Sequence, residues 1–470
     1  MERELMKQWH GLKVIVIGAA RQGLALARYL TSHGARVVLN DQRPAADLAL
    51  AQEMLAGVPD IEWVCGGHPL SILDGADLVC PSGGVPLTLP LLQEAARRGI
   101  PLSNDSQIFL EAAPCKVIGI TGSAGKTTTT TLVGRMGQAS LDLLQEPPYR
   151  KVWVGGNIGS PLILVVDEMG ADDLAIMELS SFQLEIMSLS PQVAAVLNVT
   201  PNHLDRHGTM EAYRAAKARI VENQQQQDVV VLGRDDPGAW SLRDRAPGRV
   251  YSFGLTPLPQ DQPGAYFSEQ AIYLHLPGNE AVRLIEQDRV ALRGEHNLVN
   301  VMAASAIAAA AGLPVEAVQA GVTGFRGVPH RLEFVRTWGG ADWYNDSIAT
   351  APERSMAAIR SFTEPLILLA GGRDKNLPWG DFADLVRSRV DHLILFGEAI
   401  DIILNAMQPD TGTAPTVTRC TGLKQAVLAA ASLVQPGDVV LLSPGGTSFD
   451  EFTDFEERGE CFAKWVRELR

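Results

Sequence analysis

Residues 119–127, Gly-Ile-Thr-Gly-Ser-Ala-Gly-Lys-Thr, bring glycines, a lysine and a hydroxyl together in one short stretch. Glycines let backbone N–H groups approach a phosphate closely, and a following helix adds positive potential at its N-terminus. Lys126 can reach terminal phosphates, and Thr127 is suited to ligate magnesium. The stretch departs from GxxxxGK[ST] at Ile120, where that pattern has glycine. The stretch reads as a loop that binds a nucleoside triphosphate, with Gly122, Ser123, Ala124, Gly125, Lys126, Thr127 and Thr128 around the phosphates.

Such a loop needs a strand before it and a helix after it. The run 116–120 (KVIGI) predicts the strand, and a helix is expected from Lys126. Two further predicted strands, 174–177 and 194–199, end at polar clusters, ELSS from Glu178 and TPNHLD from Thr200. Ligands collect beyond the carboxyl ends of parallel strands, so Glu178 and His203 are expected at the phosphate loop as cation ligands. Either residue alone, at the end of a strand, is more often structural. Helices are predicted over 210–223 and over the Ala-rich, buried stretch 297–311, with a loop over 257–264.

An earlier block repeats the strand–turn–helix–strand pattern. VIVI at 14–17 precedes GAARQG at 18–23, a helix over 24–32 and a strand over 35–41 ending at Asp41. GAARQG lacks the central glycine of GxGxxG, which makes it a weak dinucleotide signal and equally a plain tight turn. A third block starts near 326–331, with strands over 366–370 and 439–442 each running into a Gly-Gly loop. The expected fold is therefore α/β with three domains: a Rossmann-like domain at 1–113, a central P-loop-type ATPase domain at 114–325 and a Rossmann-like C-terminal domain at 326–470.

Composition narrows the class. The chain has 470 residues, 46% hydrophobic and 20% charged, which argues for folded domains over disorder. A net charge of −14 disfavours nucleic acid and anionic membranes as partners. No apolar run is long enough to span a bilayer, and the opening MERELMKQWHGLK lacks a signal-peptide layout. Five scattered cysteines without CxxC spacing read as reduced thiols, so a cytoplasmic setting is expected.

The phosphate loop is followed, in order, by GGNIG (155–159), ELSSFQLE (178–185), NVTPNHLDRHG (198–208), YRAAKARI (213–220), GEHNLVN (294–300), GVPHRLE (327–333), NDSIAT (345–350), GGRDKN (371–376) and SPGGTSFDEFTDFEERG (443–459). Together these motifs, spanning nearly the whole chain, resemble those of the Mur ligases of bacterial cell-wall synthesis. ELSSFQLE and the last motif most resemble the glutamate-adding member. The resemblance implies an ATP-dependent amide ligase that adds D-glutamate to UDP-N-acetylmuramoyl-L-alanine through an acyl phosphate. That is a step of peptidoglycan precursor synthesis, bearing on cell shape and division.

It also implies roles. Lys126, Glu178, His203 and Lys217 would be catalytic. Thr127, Glu178, His203 and a carbamylated Lys217 would hold two Mg2+ ions, a carbamate being carboxylate-like where a plain lysine is cationic. Asn297, Asn300, Arg331 and Asp346 would join the phosphate loop in binding ATP. The UDP-sugar would meet Gly18, Asp41, Arg43, Ser82, Gly83, Gly84, Asn157, Ser180 and Gln183. Thr350, Lys375, Ser448 and Phe455 would bind glutamate. The enzyme would act as a monomer, with its third domain closing over the others.

Two positions depart from the family pattern: Ala124 replaces an asparagine, and Ile348 replaces a lysine. The second leaves L-glutamate open as an alternative acceptor, because a sister group resembling this pattern uses it. An NAD-dependent oxidoreductase, suggested by residues 18–23 and Asp41, would leave Lys126 unexplained. A catalytically dead nucleotide-binding regulator is countered by the joint presence of Lys126, Glu178, His203 and Lys217.

Overall fold

Short β-branched and aliphatic runs that stop at glycine or a polar cluster form parallel strands buried on both faces, as crossover helices require. The structure, a computed structural model, describes residues 9–259, 262–292, 294–375, 377–407 and 415–470, with the Asp205 side chain excluded. Asn376 of GGRDKN, residues 260–261 of the 257–264 loop and residues 1–8 of the opening segment lie outside the described residues.

Three sheets follow one another along the chain. The first is β1 (Lys13–Ile17), β2 (Arg36–Asp41), β3 (Ile61–Cys65) and β4 (Leu78–Pro81), all parallel in the order β3-β2-β1-β4. The second comprises β5 (Lys116–Thr121), β6 (Val152–Gly156), β7 (Leu174–Glu178), β8 (Val193–Val196), β9 (Val229–Gly233), β10 (Arg249–Gly254), β11 (Gly264–Ser268), β12 (Ala271–His275) and β13 (Val282–Glu286). Its order is β13-β12-β11-β10-β9-β8-β5-β7-β6. The third holds β14 (Glu333–Trp338), β15 (Ala341–Asn345), β16 (Leu366–Gly371), β17 (His392–Phe396), β18 (Thr416–Arg419) and β19 (Val439–Gly445), ordered β14-β15-β19-β16-β17-β18.

These sheets fall into two compact units. One runs to Ala291 and resumes at Glu295–Phe325; the other holds Leu292–Gly294 and Arg326–Arg470. In the first, Leu30, Phe109, Leu162 and Met187 belong to one apolar core, so the first two sheets share an interior. The helix Glu295–Ala311 is buried along most of its length, as its composition predicts.

The helix expected over 24–32 begins at Arg21, within the expected glycine turn, and two larger differences follow. The strand expected over 194–199 stops at Val196, because beyond it Asn198 spends its carbonyl and side chain on the phosphate loop. Three strands β11–β13 extend the second sheet, β11–β12 and β12–β13 being antiparallel; Pro263-Gly264 before β11 and Pro277-Gly278-Asn279 between β12 and β13 are the turn signals that mark them.

Candidate active site

β5 ends at Thr121, and the loop that follows enters the helix Lys126–Leu143 through Gly125, whose φ is 82°. Glycine is required there twice over. Its φ is left-handed, and a Cβ would stand 2.3 Å from Asn300 Oδ1. Asn300 in turn donates to Asn297 Oδ1 at 3.0 Å, so the two expected nucleotide contacts sit side by side against the loop.

The loop is braced from β8. Ser123 N donates to Asn198 O, Ala124 N to Asn198 Oδ1 at 2.8 Å, and Asn198 Nδ2 returns a bond to Ala124 O. Ser123 Oγ donates to Thr200 O and lies 3.0 Å from the Tyr213 hydroxyl. Ala124 thus uses only its backbone.

Glu178 ends β7 between the registers of β5 and β6 and is 1% exposed. Thr127 Oγ1 donates to its Oε2 at 2.9 Å, and Asn157 Nδ2 to its Oε1 at 2.8 Å. Asn157 O also accepts from Arg21 Nη2 at 3.1 Å, reaching the turn after β1. A hydroxyl and a carboxylate in contact are hard oxygen donors of the kind magnesium takes.

Lys217 lies on the helix Met210–Glu222 and is 1% exposed. Its Nζ donates to Gly122 O at 3.0 Å, the carbonyl that Lys126 Nζ also reaches at 3.0 Å. Burial first, and the Lys126 charge second, push the Lys217 amine well below the usual lysine range. Tyr213, one turn earlier, packs its ring 4.8 Å from that amine. His203 has a left-handed φ of 54° and stacks edge-on to Phe182 at 5.0 Å. Among the described residues, no three His, Cys, Asp or Glu side chains form a metal-binding group.

At the first sheet, Asp41 is occupied by its neighbours. It accepts from Ala19 N at 2.8 Å and from Arg43 Nε and Nη2, and the Arg43 guanidinium holds it down at about 2. Ser82 Oγ donates to Gly18 O at 3.2 Å, so the loops after β1 and β4 touch. Gly84 O accepts from Arg206 Nη1 at 2.9 Å, and Gly83 lies against Phe182 and Gln183. Ser180 and Gln183 form a capping box, and Gln183 Nε2 donates to Ser106 Oγ. Their side chains serve the fold in the first place.

The second unit collects the remaining residues at the ends of β15, β16 and β19. Asp346 accepts from Leu332 N and from Ser443 Oγ at 2.8 Å, and burial raises its carboxyl to about 7. Arg331 lies close enough for its charge to oppose that rise. Lys375 Nζ donates to Thr350 Oγ1 at 3.3 Å. Ser448 is buried, and Phe455 opens the helix Phe455–Glu468, its carbonyl accepting from Ser347 Oγ at 2.8 Å.

Sequence reasoning missed Asn198, Tyr213, Arg206, Arg21 and Arg458. Tyr213 stands four residues before Lys217 on one helix, which places both on one face. Arg458 is fully buried, donating to Ser347 Oγ and O and to Gly446 O. Its place in FEERG gave no sign of that.

Three family descriptions match the chain: a Mur ligase MurD-like N-terminal domain over 12–104, a Mur ligase middle domain over 120–308 and a Mur ligase glutamate ligase domain over 330–446. The chain is similar to the UDP-N-acetylmuramoylalanine–D-glutamate ligase of Pelotomaculum thermopropionicum, 39% identical over 99% of this chain and 100% of that one. Its counterpart from Symbiobacterium thermophilum is 40% identical over 97% and 98%. In fold, the chain is similar to UDP-N-acetylmuramate-alanine ligase MurC from Thermotoga maritima, with a TM-score of 0.56, 18% identity and coverage of 98% and 100%. It is equally similar to MurF from Acinetobacter baumannii, with a TM-score of 0.56, 20% identity and coverage of 98% of both chains.

Proposed function

The chain belongs to the Mur ligases, and from that premise we propose that it joins D-glutamate to UDP-N-acetylmuramoyl-L-alanine at the expense of ATP, in peptidoglycan precursor synthesis. Full-length similarity to D-glutamate ligases supports that acceptor over L-glutamate, and nothing in it favours an oxidoreductase. The observation that carries the chemistry is the Thr127–Glu178 contact at the mouth of a glycine loop bearing Lys126.

The reaction runs in two steps. An oxygen of the alanyl carboxylate attacks the γ-phosphorus, and the bond to ADP breaks. The neutral amine of glutamate then attacks the acyl carbon; phosphate leaves with the electrons of the C–O bond, one amine proton passes to the departing phosphate or to water, and an amide remains. Such transfer depends on positioning and charge neutralisation. Amides of residues 122–127 and the Lys126 ammonium hold the β- and γ-phosphates. Thr127 and Glu178 would hold one magnesium, and His203 with a carbamylated Lys217 would hold a second, supplying positive charge against the phosphate oxygens. Asn297, Asn300, Arg331 and Asp346 bind the nucleotide. Thr350, Lys375, Ser448 and Phe455 receive glutamate.

The loops bearing Gly18, Asp41, Arg43, Ser82, Gly83 and Gly84 hold the UDP end, and Asn157, Ser180 and Gln183 the sugar. For Asp41 the role is to fix the Arg43 guanidinium, given its own saturated hydrogen bonds. Domains at 1–113, 114–325 and 326–470 divide these tasks, boundaries that fall between the three matched ranges. The enzyme works as a monomer in the cytoplasm; among the described residues, no helix is long and apolar enough to cross a membrane.

The test is phosphate release from ATP with UDP-N-acetylmuramoyl-L-alanine and D-glutamate, L-glutamate or no amino acid. Release with D-glutamate alone is expected. Release with L-glutamate alone would reverse the acceptor, and silence with both would remove glutamate from the reading.

A further inference from the structure

In a chain of net charge −14, three cations of the second unit lie near one another and form no ion pair among the described residues. Lys375 is held at Thr350. Arg354, in the first turn of the helix Pro352–Ile359, turns its Nη1 back to Ile348 O at 3.5 Å. Arg458 lies fully buried between Ser347 and Gly446. Among the described residues, none of the three has a carboxylate within ion-pair distance, whereas nearby Arg373 is paired with Glu398 at 2.8 Å. Asp346, the acid that senses Arg354, already accepts from Leu332 N and Ser443 Oγ.

Lys375 feels the other two charges. Burial, then Arg354 and Arg458, push the Lys375 amine below the usual lysine range. Asp450 and Glu451 offset part of the Arg458 charge from beyond ion-pair distance, and Lys375 and Arg354 keep no paired carboxylate, an arrangement suited to an incoming anion. Glutamate brings two carboxylates, and Lys375 with the Thr350 hydroxyl accounts for one.

We propose that Arg354, anchored at the Ile348 carbonyl, binds the second carboxylate of the amino-acid acceptor and so makes the site selective for a dicarboxylate. The inference rests on the reading of this unit as the glutamate site. A guanidinium offers a planar two-pronged donor that matches a carboxylate, and Arg354 is exposed enough to meet an incoming one. It also gives position 348 a role without a charged side chain, since the backbone there steers the arginine.

The experiment measures KM for D-glutamate, ATP and UDP-N-acetylmuramoyl-L-alanine in the wild type, Arg354→Gln and Arg354→Lys. For Arg354→Gln we expect the glutamate KM to rise ~10- to 100-fold, the loss of a charge-assisted pair, with the other two KM values within ~2-fold. Arg354→Lys should fall between, keeping the charge and losing the fork. A glutamate KM within ~2-fold of wild type in Arg354→Gln would overturn the proposal, as would a parallel rise in all three constants. A wild type that releases no phosphate on adding glutamate would overturn the acceptor reading itself, before any variant is assayed.

Discussion

Thr127 Oγ1 donates to Glu178 Oε2 across 2.9 Å, tying the first turn of the phosphate-loop helix to the carboxyl end of β7. The bond fixes a neutral and an anionic oxygen together before any ligand arrives. A metal ion would replace that shared proton as the link between them.

Removing the hydroxyl should therefore weaken metal use more than folding. Thr127→Val is expected to lower kcat ~100-fold or more and to raise the magnesium concentration for half-maximal rate. Its stability should fall by only ~1–3 kcal/mol, the cost of leaving one buried carboxylate oxygen unpaired. Thr127→Ser should restore most of the rate. A magnesium titration of Thr127→Val that overlays the wild type would take Thr127 out of the ligand set.

Lys217 makes a second prediction through its burial. An amine pushed well below the usual lysine range gives up its proton more readily, and a neutral amine adds CO2 where an ammonium does not. Activity should fall in CO2-depleted buffer and return with bicarbonate, and 13C-bicarbonate should give a carbamate resonance that Lys217→Arg lacks. Full activity after exhaustive CO2 removal would leave Lys217 as a plain cationic contact to Gly122.

Gly125→Ala tests the loop itself. The methyl group meets Asn300 Oδ1 at 2.3 Å, and φ of 82° strains any other residue, so a loss of ~1–3 kcal/mol is expected. ATP affinity should fall with it. Adding Asn300→Ala removes the clash and leaves the backbone strain, so the double variant should regain part of the lost thermal stability. No regain would mean that strain alone sets the cost.

These residues also mark what the sequence made legible. The phosphate loop was readable because its glycine spacing answers to backbone geometry that few other structures need. Glu178 was readable from its place at the end of a buried strand. The Ser180–Gln183 pair was read as a sugar contact, and its capping box could have been anticipated from S-x-x-Q before a helix. Asp41 and Arg43 pair two residues apart, a short-range bond that the ligand reading passed over. Arg458 and the common core of the first two sheets were not readable, because both depend on contacts between distant segments.

Asp105 gives a prediction that depends on pH. It begins the helix Asp105–Ala112 and is fully buried, and burial raises its carboxyl from an ordinary 3.8 to about 6, against the backbone amides and Gln183 that favour its charge. Between those values the folded chain binds more protons than the unfolded chain. The group's stabilising contribution is thus complete below 3.8 and is lost as pH rises through about 6. Asp105→Asn keeps an accepting oxygen and cannot ionise. It should match the wild type near pH 4 and exceed it by up to ~3 kcal/mol at pH 8, as a shift of ~2 pK units implies. Urea midpoints of both proteins across that range decide the matter. A difference that does not change with pH would mean that Asp105 stays charged throughout, its burial offset by Arg21 and the helix N-terminus.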